Sequence, residues 1–132
     1  MTQTTYILLL EDDINLSTVL ADYLRSKGYA VDAAYDGQEG WEMLSHKHYD
    51  MLLTDIMMPR MNGWQLLKNL RESNNPIPVI VVSAKNDRED IIKGYNLGCD
   101  DYVTKPYSMD ILICKIEAII RRYAIGRQPN LM

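Results

Sequence analysis

Three consecutive carboxylates follow the first apolar run of this chain of 132 residues. The apolar stretch 6–10 leads directly into Glu11, Asp12 and Asp13, after which an apolar pattern resumes. Neighbouring carboxylates repel one another unless a positive charge lies nearby. Such a cluster either faces water or binds a cation, and the residues elsewhere in the chain decide between these two readings.

Five short apolar runs predict the strands of one sheet, at residues 6–10, 30–34, 51–55, 79–83 and 101–104. The first, third and fourth runs are almost continuously apolar, which is typical of strands buried on both faces of a parallel sheet. Stretches with helical periodicity follow each run, at residues 14–27, 36–44, 64–70, 86–98 and 108–120. This alternation predicts a parallel α/β sheet with helices on both faces.

Two polar motifs predict where helices begin. Asp36 and Glu39 have the spacing of a capping box, in which each side chain bonds the backbone of the other residue. Asn86 and Glu89 have the same spacing. We therefore expect Asp36 and Asn86 to cap the second and fourth helices.

The side chains that follow the strands form one chemical set. In an open parallel sheet, the loops after the carboxyl ends of the strands form the binding site. Asp12 and Asp13 follow the first strand, Asp55 ends the third, Ser83 ends the fourth and Lys105 follows the fifth. Carboxylate oxygens suit Mg²⁺, a carboxylate can attack phosphorus, and an ammonium group can neutralise a phosphoryl oxygen. The sequence therefore predicts that the acidic residues bind a divalent cation beside a phosphoryl-accepting aspartate.

Composition excludes several other classes of protein. The formal net charge of −4 disfavours direct binding to nucleic acid or to an anionic membrane. No apolar run approaches the ~20 residues that a membrane helix needs, and the first five residues lack the basic region of a secretory signal. Cys99 and Cys114 belong to no metal-binding pattern, and we expect buried, reduced thiols. We therefore expect a cytoplasmic protein with no membrane partner.

Four segments resemble the motifs of the response-regulator receiver domain of two-component systems: ILLLEDD, LLTDIMMPRMNG, VIVVSAKND and GCDDYVTKPYS. The resemblance divides the chain into a receiver domain, 1–123, and a linker stub or flexible C-terminal tail, 124–132. It implies a flavodoxin-like (βα)5 three-layer sandwich with a five-stranded parallel sheet of order 2-1-3-4-5. The last motif and the pair Arg121 and Arg122 are most similar to the subfamily in which a winged-helix DNA-binding domain follows the receiver.

The resemblance assigns roles to matching residues. Asp55 corresponds to the phosphoacceptor, and Lys105 would pair with the phosphoryl group. The implied ligands of Mg²⁺, with Mn²⁺ as an alternative ion, are Asp12, Asp13, Asp55 and the backbone carbonyl of Met57. Glu11 matches a position that is commonly acidic in the subfamily, but it is left out of this ligand set.

The resemblance also implies features around the phosphoacceptor. Ser83 and Tyr102 correspond to a switch pair: a phosphoryl group would attract Ser83, and Tyr102 would turn inward into the space that Ser83 leaves. The peptide bond between Lys105 and Pro106 is expected to be cis. The positions that tune autodephosphorylation in the family correspond to Met57 and Lys85.

The function implied by the resemblance is a phosphorylation-dependent switch rather than an enzyme that turns over an external substrate. A sensor histidine kinase would supply the phosphoryl group, and the switch would promote a homodimer through the fourth helix, fifth strand and fifth helix. DNA would be reached only through an output domain. The charged residues expected on the dimer face are Lys93, Asp100, Asp101, Lys115 and Arg122. Ile111 departs from the subfamily, which usually has Glu at this position.

Other classes fit the sequence less well. A phosphate-ester hydrolase with an Asp nucleophile would need a second Asp where this chain has Met57. A flavodoxin would need a Ser/Thr/Gly-rich loop after the first strand, and a P-loop protein would need GxxxxGKS or GxxxxGKT, which the sequence lacks. Two alternatives stay open: a stand-alone receiver, and a protein-interaction module without a DNA-binding output.

Overall fold

Strands and helices alternate along residues 4–126, the part of the chain that the computed structural model describes. The strands are β1 (Tyr6–Leu10), β2 (Ala30–Ala34), β3 (Met51–Thr54), β4 (Val79–Ser83) and β5 (Asp101–Thr104). The helices are α1 (Ile14–Ser26), α2 (Gly37–His46), α3 (Gly63–Glu72), α4 (Arg88–Leu97) and α5 (Met109–Gly126). The predicted alternation is confirmed.

The five strands form one parallel sheet of order β2-β1-β3-β4-β5, as predicted. Leu10, the last residue of β1, is level with Ala34 on one side and with Thr54 on the other. The carboxyl ends of neighbouring strands therefore meet at one edge. This register places Glu11 and Asp55, the residues that follow Leu10 and Thr54, next to each other at that edge.

Helices cover both faces of the sheet because alternate residues of each buried strand point to opposite faces. Ile7 and Leu9 of β1 pack with α1 and α5. Leu8 and Leu10 pack with residues on the other face, including Leu66, Leu67 and Leu70 of α3. The two apolar cores and the sheet between them make the three-layer sandwich that the sequence predicts.

The caps of two helices differ from the prediction. The Asp36 side chain accepts a hydrogen bond from the N–H of Glu39 at 2.8 Å, but the Glu39 carboxylate accepts from Tyr35 rather than Asp36. The cap expected from Asn86 is wrong: α4 follows Asp87, whose carbonyl accepts the first helical hydrogen bond, from Ile91. Helix α4 therefore begins one residue later than its capping motif indicates.

A complete capping box opens α3, between Asn62 and Gln65. The Asn62 side chain accepts from the N–H of Gln65 at 2.9 Å, and the Gln65 side chain accepts from the N–H of Asn62 at 3.0 Å. These two bonds fix the point at which the loop after β3 becomes helical.

Helix α5 continues to Gly126, three residues past the predicted domain boundary at residue 123. Backbone hydrogen bonding adds to a helix residue by residue, so a helix can extend beyond the end of its apolar periodicity. The rest of the predicted tail, 127–132, lies outside the described residues. Along residues 4–126, no helix combines the length and apolarity needed to cross a bilayer.

Candidate functional site

A buried lysine–carboxylate pocket lies at the carboxyl edge of the sheet. Lys105 Nζ donates to Oδ2 of Asp55 at 2.7 Å and to Oε1 of Glu11 at 2.6 Å. Asp55 is 7% exposed and Glu11 is 5% exposed. Because buried charges are costly unless they are paired, the lysine and the two carboxylates stabilise one another here. The peptide bond between Lys105 and Pro106 is cis, which confirms the prediction.

The orientation of the Asp55 carboxylate is fixed by the backbone that follows it. Oδ1 accepts hydrogen bonds from the N–H groups of Ile56 and Met57, at 2.6 and 3.2 Å. The first residue of α3 packs directly on this segment, because a Cβ at Gly63 would overlap the carbonyl oxygen of Asp55. One carboxylate oxygen of Asp55 is thus held by backbone amides, and the other lies against Lys105.

Burial and pairing act in opposite directions on the charged groups of the pocket. Burial raises the pKa of Glu11, and this effect outweighs the hydrogen bond from Lys105, which lowers it. Burial alone would lower the pKa of Lys105, but the hydrogen bonds to Asp55 and Glu11 outweigh burial and raise it. Lys105 is therefore positively charged at neutral pH.

The pocket contains Glu11, which the ligand set inferred from sequence leaves out. Asp12 and Asp13 are exposed, and Asp13 is the N-cap of α1, where its Oδ1 accepts from the N–H of Leu16 at 3.1 Å. Glu11 Oε2 accepts from the N–H of Asp13 at 3.1 Å. The structure therefore brings Glu11, rather than Asp13, into contact with Lys105. Because residues two apart on an extended backbone point to the same side, local periodicity gives no signal that separates Glu11 from Asp13.

The predicted metal ligands do not form a closed cluster. Between residues 4 and 126, no group of three or more His, Cys, Asp or Glu side chains is arranged to hold an ion. The donor chemistry nevertheless fits Mg²⁺, since Glu11, Asp12 and Asp55 supply carboxylate oxygens at the ends of the neighbouring strands β1 and β3. Met57, whose carbonyl is a predicted ligand, lies exposed at the rim. A bound ion would compete with Lys105 for Asp55.

The predicted switch residues lie on the two strands beyond β3, Ser83 at the end of β4 and Tyr102 in β5. Ser83 is completely buried, and its Oγ accepts from the N–H of Lys85 at 3.1 Å. Tyr102 is 8% exposed and donates from its hydroxyl to the carbonyl of Lys85 at 2.6 Å. Lys85 therefore links the two members of the pair through its backbone.

The inward position of Tyr102 is held by both neighbouring helices. Its ring lies 6.5 Å from the ring of Trp64 in α3. On the other side it packs against Gly94 of α4, where a Cβ would lie 2.8 Å from the ring. Burial is the main reason that the pKa of Tyr102 is raised. The structure thus has Tyr102 already inward beside the buried Ser83, whereas the resemblance implies an inward turn only when Ser83 moves.

Charged residues predicted for a dimer face largely bind groups of their own chain. Lys115 Nζ lies 3.0 Å from Oδ2 of Asp101. Asp100 accepts from the Tyr123 hydroxyl at 2.7 Å and from the N–H of Val79 at 2.8 Å. Lys93 Nζ lies 5.0 Å from the centre of the Trp64 ring. Arg122 is exposed, as are three large apolar or aromatic side chains of this face: Ile92, Tyr95 and Ile111.

A parallel sheet of this order, with a lysine–carboxylate pocket at its carboxyl edge, defines a flavodoxin-like receiver of the kind found in two-component signalling. The chain belongs to the response regulator receiver domain family, whose model matches residues 7–117. The family predicted from the motifs is thus confirmed.

Known relatives agree in sequence and in fold. The transcriptional regulatory protein RprY of Bacteroides fragilis is 43% identical over 122 residues, which are 92% of this chain and 52% of RprY. The response regulator ArlR of Staphylococcus aureus is 37% identical over 118 residues, 89% of this chain and 53% of ArlR. The receiver domain of the Francisella response regulator 1452 superposes with a TM-score of 0.88 at 34% identity, covering 91% of this chain and 99% of that domain. This chain spans about half the length of the curated relatives that it matches.

Proposed function

We propose that this chain accepts a phosphoryl group from a sensor histidine kinase onto Asp55, in the presence of Mg²⁺, and thereby acts as a signalling switch. The observation that carries the proposal is the Asp55 carboxylate, held by two backbone N–H groups on one oxygen and by Lys105 on the other. A carboxylate fixed in this way is placed to act as a nucleophile toward phosphorus.

The groups of the pocket have different roles in phosphoryl transfer. Lys105 neutralises a phosphoryl oxygen, and the backbone N–H groups keep the Asp55 carboxylate in one orientation. Mg²⁺, or Mn²⁺ in its place, reduces the repulsion between this carboxylate and the incoming anionic group. The ligand set inferred from sequence is Asp12, Asp13, Asp55 and the Met57 carbonyl. Because the Asp13 side chain caps α1 and the Glu11 carboxylate lies in the pocket, we propose that Glu11 takes the place of Asp13 in this set. Met57 and Lys85 remain the predicted tuners of dephosphorylation.

The switch uses Ser83, Lys105 and Tyr102. A phosphoryl group on Asp55 attracts the Ser83 hydroxyl away from the N–H of Lys85, and Tyr102 responds because it binds the same residue. Two charge-assisted hydrogen bonds of roughly 1.5–3 kcal/mol each, formed only in the phosphorylated state, together contribute ~3–6 kcal/mol. A shift of an equilibrium from 1:99 to 99:1 requires about 5.5 kcal/mol. If Ser83→Ala left the spectral change on phosphorylation intact, this coupling would be wrong.

The output of the switch is a homodimer on the face formed by α4, β5 and α5. The exposed side chains Ile92, Tyr95 and Ile111 supply apolar area for pairing, and Lys93 and Arg122 supply charge at the same face. DNA is contacted only through an output domain. The relative RprY is named a transcriptional regulatory protein, which supports an output of this kind. We place the protein in the cytoplasm, as a switch rather than an enzyme with an external substrate.

Sedimentation tests the dimer. The wild-type chain is expected to dimerise with a phosphate mimic, and Ile111→Asp is expected to keep it monomeric. Val19→Asp changes a similarly exposed apolar residue on α1 and serves as the matched control. A wild-type chain that stays monomeric with and without the phosphate mimic would contradict the dimer without affecting the proposal for Asp55.

Intact mass spectrometry tests phosphoryl acceptance. The chain is incubated with acetyl phosphate, with and without Mg²⁺, beside the variant Asp55→Asn. We expect one added phosphoryl group that requires both Mg²⁺ and Asp55. The phosphorylated histidine-containing domain of a partner kinase is tested as a second donor. If only this domain, and not acetyl phosphate, donates the phosphoryl group, acceptance by Asp55 still stands. No gain from either donor would favour the protein-interaction module.

A further inference from the structure

The loop that connects β3 to α3 contains a residue in an unusual backbone conformation. Arg60 has a φ angle of 69°, in the left-handed region that residues other than glycine and asparagine rarely adopt. A backbone of this kind persists only where the surrounding contacts hold it. The contacts of Arg60 therefore indicate what fixes the loop.

Arg60 is held by the start of α2. Its Nε and Nη2 donate to Oδ2 of Asp36, at 3.2 and 2.7 Å. Asp36 is itself fixed as the N-cap of α2, because its Oδ1 accepts from the N–H of Glu39. Beside this pair, the first residue of α2 touches the loop backbone, since a Cβ at Gly37 would overlap the carbonyl oxygen of Met61. Two adjacent contacts thus attach the loop to α2.

The same loop begins at the phosphoacceptor position. The N–H groups of Ile56 and Met57 bind Oδ1 of Asp55. The carbonyl of Ile56 accepts from the N–H of Met58 at 3.1 Å and from the N–H of Gly63 at 2.9 Å. Nearer to Arg60, the N–H of Met61 donates to the carbonyl of Pro59 at 2.8 Å. A short hydrogen-bonded loop of bends therefore connects the backbone that orients the Asp55 carboxylate to the residue that binds α2.

We propose that Arg60 and Asp36 are positioning residues for phosphorylation: their ion pair fixes the loop 56–62 against α2 and so holds the two N–H groups that orient Asp55. This inference rests on the proposed function of Asp55. The Arg60 side chain is 68% exposed and the Asp36 side chain 15% exposed. Because the guanidinium group lies largely in water, we expect the pair to contribute little to global stability. The ion pair therefore fixes the local geometry of the loop, and its loss should not lower the stability of the whole domain.

Three variants test the pair. Asp36→Asn keeps a side-chain oxygen for the cap of α2 and removes the charge. Arg60→Gly suits the backbone angle and removes the guanidinium group. The third variant combines both changes. The readouts are the phosphorylation rate at saturating acetyl phosphate, the half-saturating donor concentration, the amide NMR signals of Ile56 and Met57, and the thermal midpoint.

We expect each single variant to slow the saturated rate by about tenfold, since small misplacements of reacting groups have effects of this size or larger. The double variant should be no slower than the singles, because the two residues act as one unit. The amide signals of Ile56 and Met57 should shift, while the thermal midpoint stays close to that of the wild type. A fourth variant, Arg60→Lys, keeps the charge but not the two-nitrogen contact, and it should retain part of the rate that Arg60→Gly loses.

Lys47→Ala provides the control. It breaks an ion pair of similar length, 2.8 Å between Lys47 and Asp32, near the other end of α2. We expect this variant to keep the wild-type rate and the wild-type signals of Ile56 and Met57. Wild-type rates with unmoved amide signals in Asp36→Asn and Arg60→Gly would overturn the inference, as would losses that add up in the double variant.

Failure of phosphoryl acceptance by Asp55 can be distinguished from failure of the positioning role of Arg60 and Asp36. If the wild-type chain accepts no phosphoryl group, the proposed function of Asp55 fails, and the amide signals alone then test whether Arg60 and Asp36 position the loop. If the wild type is phosphorylated and the variants match it in rate and signals, only the positioning role fails.

Discussion

Lys105 Nζ lies 2.7 Å from Oδ2 of Asp55, although 50 residues separate the two in sequence. The contact is a consequence of topology, since β3 and β5 flank β4 and end at the same edge of the sheet. Any phosphoryl group or metal ion that approaches Asp55 therefore meets a carboxylate that is already paired with the ammonium group of Lys105. This ion pair is the centre of the proposed phosphorylation site.

Substitutions of Glu11 and Asp13 should have different effects on Mg²⁺ binding. Glu11→Gln is expected to weaken it about tenfold or more, because the Glu11 carboxylate shares the pocket with Asp55 and Lys105. Asp13→Asn is expected to change it little, because the Asp13 side chain caps α1 and Asn caps equally well. Titration of tryptophan fluorescence with Mg²⁺ measures both. A larger loss in Asp13→Asn would support the ligand set inferred from sequence instead.

Removal of the Tyr102 hydroxyl should destabilise the domain modestly. Tyr102→Phe leaves the ring packed but deprives the Lys85 carbonyl of its donor. We expect the free energy of unfolding to fall by about 0.5–1.5 kcal/mol. Urea denaturation should show a lower midpoint with an unchanged slope. Tyr35→Phe alters an exposed tyrosine and controls for the loss of a hydroxyl; equal effects in the two variants would argue against the inward hydrogen bond.

The two cysteines should differ strongly in reactivity. Burial raises the pKa of the Cys99 thiol to about 12, with a further contribution from Asp100 and Asp101. Cys114 is exposed, so the expected burial is confirmed for Cys99 and wrong for Cys114. Because the thiolate is the reactive form, a thiol reagent should label only Cys114 in the native protein and both thiols in denaturant. Cys114→Ser should abolish the fast reaction, and Cys99→Ser should leave it. Two equal labelling rates in the folded chain would show that Cys99 is accessible.

Acid should remove a stabilising contribution from Asp32. Hydrogen bonds from Lys47 and Tyr49 hold the pKa of Asp32 below its usual value. Because the folded pKa is lower than the unfolded one, the charged carboxylate stabilises the fold above about pH 4, and this contribution is lost as the pH falls further. In urea unfolding from neutral to acidic pH, Lys47→Ala should lose stability less steeply below pH 4 than the wild type. Lys68→Ala, which alters an exposed lysine of α3, should follow the wild-type profile.

Local patterns in the sequence were sufficient to predict the sheet. Buried parallel strands are continuous apolar runs, and the predicted runs match the observed strands, apart from β3, which ends at Thr54 instead of Asp55. The order of the strands came from the resemblance to receivers and is confirmed. Because the strands are parallel, their order and their ends together bring Asp55, Ser83 and Lys105 to one edge.

Side-chain direction at the ends of elements could not be predicted as well. Glu11, Asp12 and Asp13 are chemically alike, and only the path of the backbone after β1 directs Glu11 inward and Asp13 to the cap of α1. Tyr102 is placed by packing against Trp64 and Gly94, which are remote in sequence. Such choices depend on tertiary contacts that have no counterpart in local periodicity.

Site mapping of the phosphoryl group tests the central claim most directly. Borohydride reduces an aspartyl phosphate to homoserine, which marks the modified residue for peptide mass spectrometry. After incubation with acetyl phosphate and Mg²⁺, we predict homoserine at position 55, and we predict none when Mg²⁺ is chelated. Conversion of another aspartate would contradict the assignment of Asp55, and so would the absence of homoserine with both acetyl phosphate and a phosphorylated kinase domain as donors.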